Sequence, residues 1–190
     1  MEFVGTTLPG CRLIRTTPAG DSRGYFVRTF CAREFAEHGL NPELAQASYS
    51  FNAKRGTLRG LHFQAAPQME DKLVRCVRGA IFDVMVDLRP GSPTFGHWVG
   101  YELTESNHLQ LHSVRGFAHG FQTLADDCVV AYHIAQFYDP QKCAGVRWDD
   151  PDIAVNWPLV PVDQSQRDLQ LPRLADLDRA ALLPFEPFAA

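Results

Sequence analysis

The sequence predicts a mainly β protein, a closed barrel or jelly roll with a few short helices. Three observations carry that expectation. The chain is written in short apolar runs of strand length, separated by turn residues. The run over residues 81–88 alternates, with Phe82, Val84, Val86 and Leu88 on one face and Ile81, Asp83, Met85 and Asp87 on the other. Helical signals are confined to two short stretches. The first face of the 81–88 strand reads as core. The second mixes apolar groups with two carboxylates, which suits the inside of a barrel that holds a ligand.

The elements follow in chain order. Strands are predicted over 11–16 and 25–30, then a short helix over 32–38 that Gly39 ends. The next strands are 57–64 and 72–77, and Arg78-Gly79 reads as the turn into 81–88. Further strands fall at 97–103, 107–111, 120–124 and 129–135. A C-terminal helix is predicted over 174–183 from Leu174, Leu177 and Leu182 with Asp and Arg between them. No linker, charge block or repeat divides the chain. One domain is expected over 1–190, with the barrel at roughly 45–140.

Composition excludes several classes. The net charge of -4 supplies no basic field for a nucleic-acid backbone. No segment approaches the roughly 20 apolar residues of a membrane span, and the N-terminus lacks a signal-peptide pattern. Cys11, Cys31, Cys76, Cys128 and Cys143 are odd in number, scattered, and form no C-x-x-C pair. Neither a disulfide scaffold nor a zinc knuckle is expected, and the cytosol is the simplest compartment.

The chemistry sits in polar residues set among apolar ones. In Thr57-Leu58-Arg59-Gly60-Leu61-His62-Phe63-Gln64, an Arg and a His occupy an apolar strand, where burial without partners is costly. Strict alternation puts Arg59 and His62 on opposite faces; they share a pocket only if Gly60 bulges or twists the strand. The pattern recurs at Lys72, at His119 and at Tyr132. A metal shell is not expected. Metal-binding cupin barrels offer His-x-His, a nearby Glu and a later His, whereas here the pair reads His62-Phe63-Gln64, leaving only Glu70 and His119 beside His62. A base, an ammonium and a phenol remain. They suit proton abstraction beside a carbonyl: a neutral His takes the α-proton, a cation stabilises the enolate, and a Tyr on the other face returns a proton with inversion.

Several strings in register resemble the dTDP-4-dehydrorhamnose 3,5-epimerase family. They are Asp21-Ser22-Arg23-Gly24-Tyr25-Phe26, Leu58-Arg59-Gly60-Leu61-His62-Phe63-Gln64, Lys72-Leu73-Val74-Arg75, Phe82-Asp83-Val84-Met85-Val86-Asp87-Leu88-Arg89, Gly116-Phe117-Ala118-His119-Gly120-Phe121 and Trp148-Asp149-Asp150-Pro151. The resemblance implies a cupin-type jelly roll, a homodimer, no metal or cofactor, and a nucleotide-linked 4-keto-6-deoxy sugar as substrate. It puts the base on His62, the acid on Tyr132, the carboxylate behind the base on Asp168, and the lysine near the ketone on Lys72. Arg23, Arg59, His119 and Arg167 match positions that contact phosphates and sugar. Asp83 falls where it orients His119, and Tyr138 where an aromatic ring stacks on the base.

Three departures concern the nucleotide end. Arg28 replaces a glutamate, Gln46-Ala47-Ser48 replaces Gln-x-Asn, and Cys143 replaces a second glutamate. Loss of acceptors and gain of a donor predict a relaxed or altered base preference. The function expected is inversion at C3, C5 or both of a nucleoside-diphospho-4-keto-6-deoxyhexose. The alternatives are a single-carbon epimerase on a GDP- or CDP-linked sugar and a non-catalytic sugar-binding cupin.

Overall fold

The computed structural model describes residues 1–187. The chain begins with β1 (Glu2–Gly5), β2 (Cys11–Arg15), the small hairpin β3 (Ala19–Asp21) and β4 (Gly24–Phe26), and helix α1 (Ala32–Glu37). Then come β5 (Gln46–Asn52), β6 (Leu58–Gln64), β7 (Lys72–Arg78), β8 (Ala80–Asp87) and β9 (Trp98–Thr104). The last strands are β10 (Leu109–Ser113), β11 (Phe117–Thr123), β12 (Cys128–Ile134) and β13 (Cys143–Gly145), followed by the short α2 (Gln166–Leu169).

Two antiparallel sheets form a cupin-type jelly roll. One runs β1-β2-β10-β7-β12-β5, the other β13-β6-β11-β8-β9. Both therefore recruit strands from outside 45–140: β2 pairs with β10, and β13 pairs with β6. Between the sheets, Val74, Val130 and Leu111 meet Ile81, Met85, Phe121 and Leu103. Each such fully buried side chain contributes about 1.5–3 kcal/mol relative to exposure.

β8 is buried on both faces, as its sequence requires. Ile81 and Met85 face the interior, while Val84, Val86 and Leu88 pack outward under Val146, Ile153 and Leu182. On the other sheet, Phe35 and Leu40 cover Ile14 and Leu73, whereas Tyr49 and Phe51 of β5 stay exposed. Among the described residues no helix is long and apolar enough to cross a membrane.

Three expectations change. The 174–183 segment is not one helix but two single turns of 3-10 helix, Leu174–Asp176 and Arg179–Ala181. Leu177 and Leu182 are five residues apart, which on an α-helix places them about 140° around the axis from each other; the broken path turns Leu174, Leu177 and Leu182 together onto the sheet. The 25–30 strand stops at Phe26, and Phe30 leaves it to pack on Phe35 at 4.8 Å between centroids. β5 was not predicted: its polar set Gln46, Ser50 and Asn52 faces inward, to the cleft described next or its supporting bonds, and its apolar Tyr49 and Phe51 face outward, the reverse of a core strand.

Candidate active site

The site begins with the irregularity at Gly60. β6 and β11 pair His62 with His119 and Arg59 with Phe121, so three steps on β6 span two on β11. Gly60 has φ +135°, and a Cβ there would stand 2.6 Å from Gly120 Cα. Only glycine accepts that combination. The bulge turns Arg59 and His62 to the same side, and both line one cleft of about 290 Å³.

The bulge also serves the base. Gly60 N–H donates to Asp168 Oδ2 at 3.2 Å, while His62 Nε2 lies 2.7 Å from Asp168 Oδ1. Asp168 sits in α2, whose first turn Ser165 caps by accepting the Asp168 N–H at 3.0 Å. Burial opposes charge on Asp168, but the bond from His62 and the Gly60 amide outweigh it and hold the carboxyl below its ordinary value. An ionised Asp168 accepts, so Nε2 of His62 carries the hydrogen and Nδ1 keeps the lone pair.

A second pair stands directly opposite. His119 Nε2 lies 2.7 Å from Asp83 Oδ1, and both side chains are buried. Burial pushes Asp83 up and His119 down, each effect opposed by the partner's charge.

The facing wall comes from the other sheet. Tyr132 on β12 reaches Ser50 Oγ at 3.1 Å, and its ring meets that of His119 edge-on at 6.0 Å. Burial pushes its phenol up to about 12, only partly offset by Ser50. Lys72 opens β7 and its ammonium lies 2.9 Å from Glu70 with both side chains mostly buried.

At the rim, Asn52 Oδ1 accepts from Arg59 Nε at 2.7 Å, and Arg167 joins the lining. Gln46 Oε1 accepts the Tyr138 N–H at 2.7 Å. The neighbouring Cys143 pushes the Tyr138 phenol above its ordinary value.

The cleft thus gathers His62, Lys72, Arg59, His119, Tyr132, Gln46, Tyr138, Cys143 and Arg167, with Asp168 and Asp83 behind the histidines. Three predicted residues stay outside it in the single chain. Arg23 is held by Asp21 in the tip of the β3–β4 hairpin, with its side chain 87% exposed. Arg28 turns outward, 3.8 Å from Glu34. Ser48 stands opposite Tyr132 in register but is exposed on the edge strand β5.

Sequence reasoning missed Ser50, Asn52, Ser165 and the structural part played by Gln64. Gln64 was weighed only as a missing metal ligand, yet its amide bonds to Gln68 O, Phe137 O and Asp139 N. Among the described residues no three His, Cys, Asp or Glu side chains converge as a metal shell.

A jelly roll whose mouth sets an aspartate-backed histidine from one sheet against a phenol from the other belongs with the cupin-type nucleotide-sugar epimerases. Comparison with known proteins supports the class and narrows it. The sequence model of the dTDP-4-dehydrorhamnose 3,5-epimerase family matches residues 5–176. The chain belongs to this family, whose members are isomerases acting on a nucleotide sugar. It is 44% identical over 178 residues to dTDP-4-dehydrorhamnose 3,5-epimerase of Sinorhizobium fredii, covering 93% of this chain and 91% of the relative. Among solved structures it resembles the Legionella pneumophila dTDP-6-deoxy-D-glucose-3,5-epimerase in complex with dTDP-4-keto-L-rhamnose. That likeness has a TM-score of 0.93 at 35% identity and covers 97% of this chain and 98% of the other. A 3'-monoepimerase from Streptomyces bikiniensis in complex with dTDP-quinovose is also similar, with a TM-score of 0.86, 32% identity, and coverage of 94% and 91%.

Proposed function

We propose that the chain inverts C3 and C5 of dTDP-4-dehydro-6-deoxyglucose by proton transfer through an enolate. The carrying observation is the two-sided cleft: His62 and Tyr132 come from opposite sheets and line the same cavity. His62 Nδ1 takes the proton beside the ketone, and Asp168 stabilises the imidazolium that forms. Lys72 lies toward the ketone oxygen and stabilises the negative charge that develops there. Tyr132 stays protonated at neutral pH and returns a proton to the opposite face. Arg59, His119 and Arg167 hold the sugar and diphosphate, Asp83 orients His119, and Tyr138 stacks on the base. No metal takes part.

The reading includes a homodimer. The outer face of the six-stranded sheet leaves Tyr49 and Phe51 exposed at 77% and 51%, and the hairpin leaves Tyr25 and Phe26 at 61% and 72%. A two-fold partner on these surfaces would cover the free β5 edge, and it would give the outward Arg23 and Arg28 and the exposed Ser48 a place near a site. The free state of all five cysteines supports a reducing, cytosolic setting.

The test is incubation with dTDP-4-keto-6-deoxyglucose in heavy water, with and without exhaustive chelation, read by NMR. Deuterium at both C3 and C5 in inverted product, unaffected by chelator, is the expected result. Deuterium at C3 alone would assign the single-carbon reaction instead, and loss on chelation restored by a divalent ion would overturn the metal-free reading.

A further inference from the structure

Tyr138 has little to hold it by its own packing. It is 62% exposed, on the loop between β12 and β13, and its neighbour Phe137 is 68% exposed. The backbone beneath them is nevertheless fixed. Gln64, only 3% exposed, donates through Nε2 to Phe137 O at 3.1 Å and accepts the Asp139 N–H through Oε1 at 2.6 Å. The same Nε2 donates to Gln68 O at 3.1 Å. From the other sheet, Gln46 Oε1 takes the Tyr138 N–H at 2.7 Å.

We infer that Gln64 is a positioning residue for the nucleotide: its carboxamide fastens the 137–139 loop, and with it Tyr138, to the strand that carries His62. The chemistry of the side chain is what the position needs. Two carbonyls require donors and one amide requires an acceptor, and a carboxamide supplies both while a carboxylate only accepts. Gln64 lies two residues beyond His62 on β6, so the grip on the base and the catalytic base share one rigid strand. Buried and fully used, the amide leaves no freedom for the loop to drift from the cleft. The inference rests on the proposed stacking of Tyr138 on the nucleobase and adds the residue that aims it.

The experiment is a double-mutant cycle in the full-length protein, read by calorimetry with dTDP and by steady-state kinetics. Gln64→Met should weaken dTDP binding by about 10-fold, as expected for the loss of buried hydrogen bonds that set a contact. KM should rise with it, and kcat should change by less than about 2-fold, the mark of lost binding rather than lost chemistry. In a Tyr138→Ala background the same substitution should change Kd by less than about 2-fold. If Gln64→Met does not fold, Gln64→Glu keeps the acceptor for Asp139, removes both donors and carries the same expectation. Equal losses in both backgrounds, or no loss with Tyr138 present, would overturn the positioning role alone. If Tyr138→Ala binds dTDP as tightly as the wild type, the stacking assignment fails and the inference falls with it.

Discussion

His62 and Asp168, 106 residues apart in the chain, meet at 2.7 Å through Nε2 and Oδ1, and the Gly60 amide secures the other carboxylate oxygen. The pair has a pH signature. The folded-state value of Asp168 lies below the ordinary 3.8, so its stabilising contribution is complete above that value and is lost as pH falls through the folded value. Asp168→Asn removes this contribution. The difference in Tm between wild type and variant should therefore shrink as pH falls below about 4. Activity at neutral pH should fall by about 10²–10⁴-fold, as for other aspartate-backed histidines. A gap in Tm that is the same at pH 3 and pH 7 would show that the carboxylate charge is not what the pair uses.

Tyr132 governs the outcome of the reaction rather than its first step. With its phenol pushed up to about 12, it remains a proton donor throughout the neutral range. Tyr132→Phe should keep deuterium exchange at a ring carbon while cutting inverted product by about 10²-fold or more. Normal epimerisation by this variant would reduce Tyr132 to a wall of the cleft.

Gly60→Ala should damage both the fold and the site. The added Cβ would meet Gly120 Cα at 2.6 Å in a left-handed backbone conformation. Strain of about 1–3 kcal/mol is expected, seen as a Tm lowered by several degrees. Activity should fall further than stability, because the bulge sets His62 and supplies the amide to Asp168. A variant with wild-type Tm and turnover would mean that the bulge is incidental.

Much of this was legible before folding, and the exceptions have physical causes. Alternation in residues 81–88 located β8 and its carboxylate, because both faces of β8 are buried and only one is dry. The need for a bulge at Gly60 followed from two polar residues at an odd spacing. β5 does alternate, but in reverse: Ala47, Tyr49 and Phe51 face outward while Gln46, Ser50 and Asn52 face the cleft or its supporting bonds, the opposite of a core strand. Leu174, Leu177 and Leu182 imitated a helix, since leucines that follow a sheet surface can be spaced nearly as on a helix. Asp168 was assigned by resemblance to a family: no local pattern near Ser165 points to a histidine 106 residues away. The destinations of Arg23, Arg28 and Ser48 depend on surface geometry, which the sequence pattern does not encode.

Of the three departures, Cys143 is the one that lines the cleft within the single chain, so the base preference should respond to it directly. A thiol is a weak partner for a ring N–H, whereas a carboxylate accepts strongly. Calorimetry on Cys143→Glu with dTDP, UDP, CDP and GDP should show dTDP and UDP gaining about 10-fold over CDP, whose ring nitrogen offers no hydrogen. An unchanged ratio would place the base away from Cys143.

The central claim, that His62 is the base, is tested most directly by hydrogen exchange at the sugar ring. With dTDP-4-keto-6-deoxyglucose in heavy water, His62→Ala should retain the fold and bind dTDP yet incorporate deuterium at neither C3 nor C5 above the uncatalysed rate. Incorporation at the wild-type rate in that variant would contradict the assignment and move the base elsewhere in the cleft.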